Sequence, residues 1–116
     1  MTIERGTTQD VRITIKGYDL TGCDIFVTFT QGSAKKLTKK NISVSYANSD
    51  STIMVTLSQE ETLYFEENKS GKIQVRWIDS EGVAKKTKTA TFNADECLYD
   101  AVLEWDDSHV PERNRS

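Results

Sequence analysis

The residues able to do chemistry in this chain are few and poorly grouped. His109 is the single histidine, and it stands in a polar stretch beside Asp106 and Asp107. A general base needs a partner and shaped surroundings to tune its pKa. A polar tail supplies neither, so His109 reads as a solvated residue. Cys23 and Cys97 are separated by most of the chain, with no Cys-x-x-Cys or Cys/His grouping of the kind that holds zinc. Their long spacing is comparable to that of the disulfide joining the sheets of an immunoglobulin domain, which packs against a Trp from strand C. Trp77 falls too late for that strand, so two buried thiols are expected rather than a bridge.

The acidic pairs Glu60-Glu61, Glu66-Glu67, Asp95-Glu96 and Asp106-Asp107 have no EF-hand spacing. Nothing in the sequence sets two of them at a glycosidase separation, and they read as solvated loop charges. Lys35-Lys36, Lys39-Lys40 and Lys85-Lys86 lack the interleaved aromatic residues of a nucleic-acid surface, and the net charge is −3. Their expected roles are solubility and protection of a sheet edge. Three Asn-x-Ser sequons, at Asn41, Asn68 and Asn114, carry no meaning without a secretion signal. No phosphate-cradling glycine loop and no nucleophile elbow is present. The chain is therefore expected to have no catalytic, cofactor-binding or metal-binding residues, and to work through a surface. Phe26, Met54 and Ile78 fall on outward strand phases, and Trp105 ends the last ordered segment. These four are the candidate interaction surface, on the premise that exposed apolar groups gathered into a patch mark an interface.

The elements that must position them are strands. Apolar residues alternate with polar ones along Val11-Ile13-Ile15, Cys23-Ile25-Val27-Phe29, Ile42-Val44-Tyr46, Ile53-Val55-Leu57, Ile73-Val75-Trp77 and Ala90-Phe92-Ala94. Period two is the signature of antiparallel sheets with one wet face. Turn chemistry separates the runs at Gly17–Gly22, Gln31–Ser33, Asn48–Ser51 and Asp79–Gly82. The run Leu37 to Tyr46 reads as one strand and forms a hairpin with Ile53 to Leu57. Ser58-Gln59-Glu60-Glu61 matches the capping box, which predicts a helical turn over residues 58–65 packing Leu63 and Phe65 on the sandwich end. Val83 to Ala94 returns with the lysine-rich middle of a guarded edge strand. Residues 95–105 fit a helix or a strand, the strand being preferred.

The expected fold is all-β: an antiparallel immunoglobulin-like sandwich of about seven strands over residues 1–105, with a polar tail over 106–116. At 116 residues the chain has the size of one domain, 36% hydrophobic and 28% charged. It has no apolar run of membrane-spanning length and no signal-peptide pattern at Met1–Gly6, which places its synthesis in a cytoplasm.

One set of residues carries a resemblance. Ile3-Glu4-Arg5-Gly6-Thr7-Thr8 precedes the first long strand. Asp19-Leu20-Thr21-Gly22, Val27-Thr28-Phe29-Thr30-Gln31, Leu57–Leu63, a Gly71-to-Trp77 strand, a Glu81-Gly82 hairpin and a closing Phe92 strand follow in order. The pattern, over residues 3 to 103, resembles small immunoglobulin-like sandwich proteins of phage and prophage tail and baseplate gene clusters. It is also similar to the N-terminal domain of baseplate upper proteins. That resemblance implies a non-enzymatic structural or assembly role, with contacts to itself or to other virion proteins, possession of no cofactor, and a place in a virion. A carbohydrate-binding or adhesin-type module is the alternative, and would need an aromatic platform drawn from Tyr18, Tyr46, Tyr64 or Trp105.

Overall fold

The computed structural model describes residues 1–40, 42–98 and 102–103. Among the described residues the strands are β1 (Thr2–Ile3), β2 (Gln9–Lys16), β3 (Asp24–Gln31), β4 (Lys35–Lys39), β5 (Ser43–Ala47), β6 (Asp50–Leu57), β7 (Lys69–Ile78), β8 (Ala84–Lys86) and β9 (Ala90–Ala94), with the helix α1 (Gln59–Tyr64) between β6 and β7. The larger sheet runs β1-β9-β7-β3-β4, with β8 also pairing with β7; the smaller runs β2-β6-β5. The strand sequences β2-β6-β5 and β9-β7-β3 are the B-E-D and G-F-C orders of an immunoglobulin sandwich. The fold is thus an all-β, immunoglobulin-like sandwich. Among the described residues every pairing is antiparallel except that of β1 with β9.

The alternation seen in the sequence is what divides inside from outside. Val27 and Phe29 of β3 lie opposite Val75 and Ile73 of β7, and Val11 and Ile13 of β2 lie opposite Val55 and Ile53 of β6. Ile25, Val27, Phe29, Ile53, Val55, Leu57, Val75, Trp77 and Phe92 are all buried between the sheets. Phe29, Phe65 and Phe92 form a three-way cluster, with ring centroids 5.2 to 6.1 Å apart in tilted and edge-on geometries. Phe92 also covers Gly71, its direct cross-strand partner. A Cβ at position 71 would come within 2.5 Å of the Phe92 ring and 2.2 Å of the Thr30 carbonyl oxygen, so this position needs glycine for space.

Ser58 caps α1 as expected. Its hydroxyl accepts from the Glu61 amide at 3.1 Å, and the Glu61 carboxylate accepts from the Ser58 amide at 2.9 Å. Phe65, just past the helix, is fully buried, whereas Leu63 is only half-buried and Thr62 is the buried helical residue. The other end of the helix is tied to the chain start. Arg5 donates from Nε to the Phe65 carbonyl at 2.7 Å and from Nη2 to that of Leu63 at 3.3 Å, placing a cation where the helix dipole is negative. Its own amide donates to Asp95 at 2.8 Å, and the Gly6 amide donates to the Thr62 hydroxyl at 3.0 Å. The Ile3–Thr8 motif is therefore structural: it joins both sheets to α1.

Several expectations need correction. Residues Leu37 to Tyr46 are not one strand. The chain leaves the larger sheet after Lys39 and enters the smaller one at Ser43, so β4 and β5 belong to different sheets. The apolar period alone does not reveal that sheet switch. β5 and β6 do form the expected hairpin, turned by Asn48 (φ 54°) and Ser49 (φ 67°) in the left-handed pair required of a two-residue loop. The expected Val83–Ala94 strand is interrupted. Lys86 pairs with Arg76 but Ala90 pairs with Ile73, so three residues oppose two and a β-bulge results. There the Thr87 hydroxyl replaces a ladder carbonyl, accepting from the Val75 amide at 3.1 Å while the Thr87 amide donates to the Val75 carbonyl at 2.9 Å. The described part of 95–105 is neither strand nor helix. Residues 99–101 and 104–116, with Trp105, His109 and the tail, lie outside the described residues.

Candidate functional site

On the outer face of the larger sheet, β3 contributes Phe26 and Thr28, β4 Thr38 and Lys36, β7 Gln74, Arg76 and Ile78, and β8 Ala84 and Lys86. The register fixes this grouping: Phe26 faces Arg76, Thr28 faces both Thr38 and Gln74, and Ile78 faces Asp24 and Ala84. Phe26 and Ile78 are diagonal neighbours on adjacent strands. Together with Ala84, Thr28, Thr38 and Arg76 they line a shallow depression of about 290 Å³. A second depression, of about 250 Å³, lies on the other side of Phe26 between Cys23, Asp24, Lys40 and Ile42. The Phe26 ring is thus a low wall between two recesses. Lys40 Nζ sits 5.2 Å from the ring centre, and the Thr28 and Thr38 hydroxyls share a hydrogen bond of 3.0 Å.

Of the four expected surface residues, the structure joins two. Phe26 is half-buried and Ile78 is 42% exposed on the same face. Met54 is on the outer face of the smaller sheet, paired with Arg12 and Ser43, so it cannot extend their patch. Trp105 lies outside the described residues. The tyrosines are dispersed as well. Tyr18 packs edge-on against Trp77 at 5.3 Å under Lys85. Tyr64 exchanges hydrogen bonds with the Lys36 backbone beneath Lys35, and Tyr46 is exposed at the end of β5 on the smaller sheet's edge. They form no common platform. The sequence missed Arg76, Lys86 and Thr38 because an outward polar residue carries no signal until cross-strand register sets it beside an aromatic ring.

The remaining chemistry is sparse. The Cys23 thiol is pushed up by burial and by Asp79, Asp19 and Asp24, so it stays protonated and a poor nucleophile at neutral pH. Cys23 and Cys97 are not bridged. Burial raises Glu61, but its hydrogen bonds to Lys39 and Ser58 and the Lys39 charge outweigh this and hold the carboxyl below its usual range. The Lys39–Glu61 pair, at 2.7 Å, ties α1 to β4. Among the described residues no three His, Cys, Asp or Glu side chains are grouped closely enough to hold a metal ion, and no helix is long and apolar enough to cross a membrane.

No known family pattern and no curated protein matches this sequence. Solved structures do share the fold. A cycloalternan-forming enzyme from Listeria monocytogenes, in complex with a pentasaccharide substrate, superposes with a TM-score of 0.52 at 16% identity over 78% of this chain. An uncharacterised protein from Listeria monocytogenes EGD-e gives the same values. The chain spans only 8% of the length of each. The likeness is to one small portion of much longer proteins, and at this identity it is a likeness of fold.

Proposed function

We propose that this sandwich is a non-catalytic binding module for carbohydrate, with Phe26 as its platform. The observation that carries the reading is the arrangement on the larger sheet. A half-buried aromatic ring is set between two recesses and flanked by the hydroxyls of Thr28 and Thr38, the Arg76 guanidinium and Lys40. Aromatic rings offer large apolar area at fixed geometry, which suits the C–H face of a sugar ring, and the polar neighbours suit its hydroxyls. Lys40 over Phe26 is no obstacle, because an exposed cation–π contact is worth only about 0.5–1 kcal/mol. Kinship of fold with a small part of an enzyme solved with an oligosaccharide supports this ligand class. A glycan array covering neutral and anionic oligosaccharides, followed by titration calorimetry, tests it. Binding that Phe26→Ala weakens about tenfold or more is expected; silence across the array overturns the reading.

A second reading is favoured by the open strand edges and by the apolar contact of Phe26, Ile78 and Ala84. It makes the chain a structural or assembly protein of a phage particle, working through protein–protein contacts. Phe26 would then be buried by a protein, and the array would be silent while the chain self-associates or docks to a virion component.

A further inference from the structure

The two sheets do not close along one side. β2 pairs with β6 on one edge, and among the described residues no strand lies along its other edge. An immunoglobulin sandwich of the constant type carries strand A at that place. Across the gap, the β8–β9 bulge breaks the regular line of the larger sheet. Between them opens a cleft of about 540 Å³ floored by Ile13, Ile73 and Val75, with Arg12 and Lys88 at its rim. That volume lies in the range of sites that enclose a small ligand, and it lies beside the β2 edge where strand A would run, with Met1 also in its lining. Ile13 points inward by phase but is only half-buried, unlike Val11 and Ile15 on either side of it. The edge across the cleft is guarded by Lys85, Lys86 and Lys88, which discourages pairing there, and leaves β2 as the receptive edge.

The chain also holds a segment matched to this cleft. After β9, Leu98 is 94% exposed, and Val102 and Leu103 are exposed too. In sequence, Ala101, Leu103 and Trp105 alternate with other residues, and Asp100, Glu104, Asp106 and Asp107 make the stretch acidic, opposite in sign to Arg12 and Lys88. The Leu103 backbone is paired with the Gln59 side chain, donating to Oε1 at 2.7 Å and accepting from Nε2 at 3.0 Å, a pair that strand addition would replace. The described chain does not lead from β9 toward its own cleft. Ala90 and Thr91 line the cleft, and β9 then runs away from it to Asp95, which is held by Arg5 at the α1 end.

We propose that the β2 edge and its cleft accept the carboxyl-terminal segment, from Leu98 onward, of a second copy of this chain, as an added β-strand. Pairing through main-chain hydrogen bonds, with alternate side chains filling pockets, is an established mode of strand addition. Because donor and acceptor are different surfaces, the contact is head-to-tail and propagates into rings or open chains. The proposal does not depend on carbohydrate binding, since the cleft lies between the sheets and Phe26 lies on an outer face.

Sedimentation velocity on the full-length chain tests it, with self-association expected at a Kd on the order of 10–100 μM. A donor-impaired variant, Leu98→Asp/Leu103→Asp, and an acceptor-impaired variant, Arg12→Glu/Lys88→Glu, change only exposed side chains, so both keep the fold. Each alone is expected to be monomeric, while their equimolar mixture forms a capped dimer. A wild-type chain that is monomeric at every concentration overturns the proposal, as does assembly that survives the Leu98→Asp/Leu103→Asp change. A mixture that stays monomeric overturns it as well. A lost glycan signal with the dimer intact would sink only the carbohydrate reading.

Discussion

The two sheets face each other across one core but present opposite exteriors. Outside the larger sheet, Phe26, Ile78 and Ala84 lie among Lys36, Arg76 and Lys86, with Asp24 as the opposing charge. Outside the smaller sheet, Thr14, Thr52, Thr56, Ser43 and Ser45 surround a single Met54, with Asp10 and Asp50 balancing Arg12 and Lys16. The interiors differ too. The larger sheet brings Phe29, Trp77 and Phe92, the smaller aliphatic side chains and the buried Ser51. One sheet therefore holds both the aromatic part of the core and the exterior proposed for a ligand, and the other closes the core beneath a neutral hydroxyl surface. An aromatic ring on a sheet exterior means little alone. Its neighbours across the strands decide what it can bind.

The largest expected effect tests the interior half of this contrast. Gly71→Ala drives a methyl into the Thr30 carbonyl and the Phe92 ring, and should cost about 3 kcal/mol or more in urea unfolding. A loss below about 1 kcal/mol would mean that the larger sheet is not the tightly packed partner. Next comes the exterior. Phe26→Ala should weaken glycan binding about tenfold or more, roughly 1.4 kcal/mol, in calorimetry, while Met54→Ala leaves affinity unchanged. Equal losses would erase the distinction between the faces.

A smaller effect concerns the link between α1 and the larger sheet. Glu61→Gln removes the Lys39 pair and weakens the capping box, at about 1 kcal/mol. Because the folded-state pKa of Glu61 lies below its ordinary value of 4.5, its contribution is present above that value and is lost as pH falls through the folded pKa. The gap in melting temperature between wild type and Glu61→Gln should narrow on acidification from neutral pH to about pH 3; a constant gap contradicts the assignment. The smallest effect belongs to the smaller sheet. Ser49 holds a positive φ without being glycine or asparagine, so Ser49→Gly should raise stability by about 0.5–1 kcal/mol, read as a higher midpoint in chemical unfolding. A lower midpoint would show that the Ser49 side chain matters more than its backbone strain.

Much of this was legible in the sequence, for identifiable reasons. Strict alternation at Val11-Ile13-Ile15 and Ile73-Val75-Trp77 gave the inward faces, and Ser58 with Glu61 gave the helix start. What escaped depends on contacts distant in sequence. Nothing in Lys40–Ile42 announces that the chain changes sheets there. The pairing of Thr2–Ile3 with Asn93–Ala94 joins residues from opposite ends of the chain. The bulge at Thr87 is a matter of register, and composition does not record register. The candidate surface was half legible for the same reason: alternation shows that Phe26, Met54 and Ile78 point outward, but only topology tells which of them share a face.

The stitching around Arg5 also sets an order of events. Its backbone is held by Asp95, its guanidinium by the end of α1, and β1 beside it completes its ladder only with β9. Contacts spanning so much of the chain are slow to form, because the loops they close must be ordered first. On a ribosome, β1 has no partner until β9 has emerged. Up to that moment β9's place beside β7 is unfilled, and a nascent chain presents the flank of its longest strand to whatever strand is near.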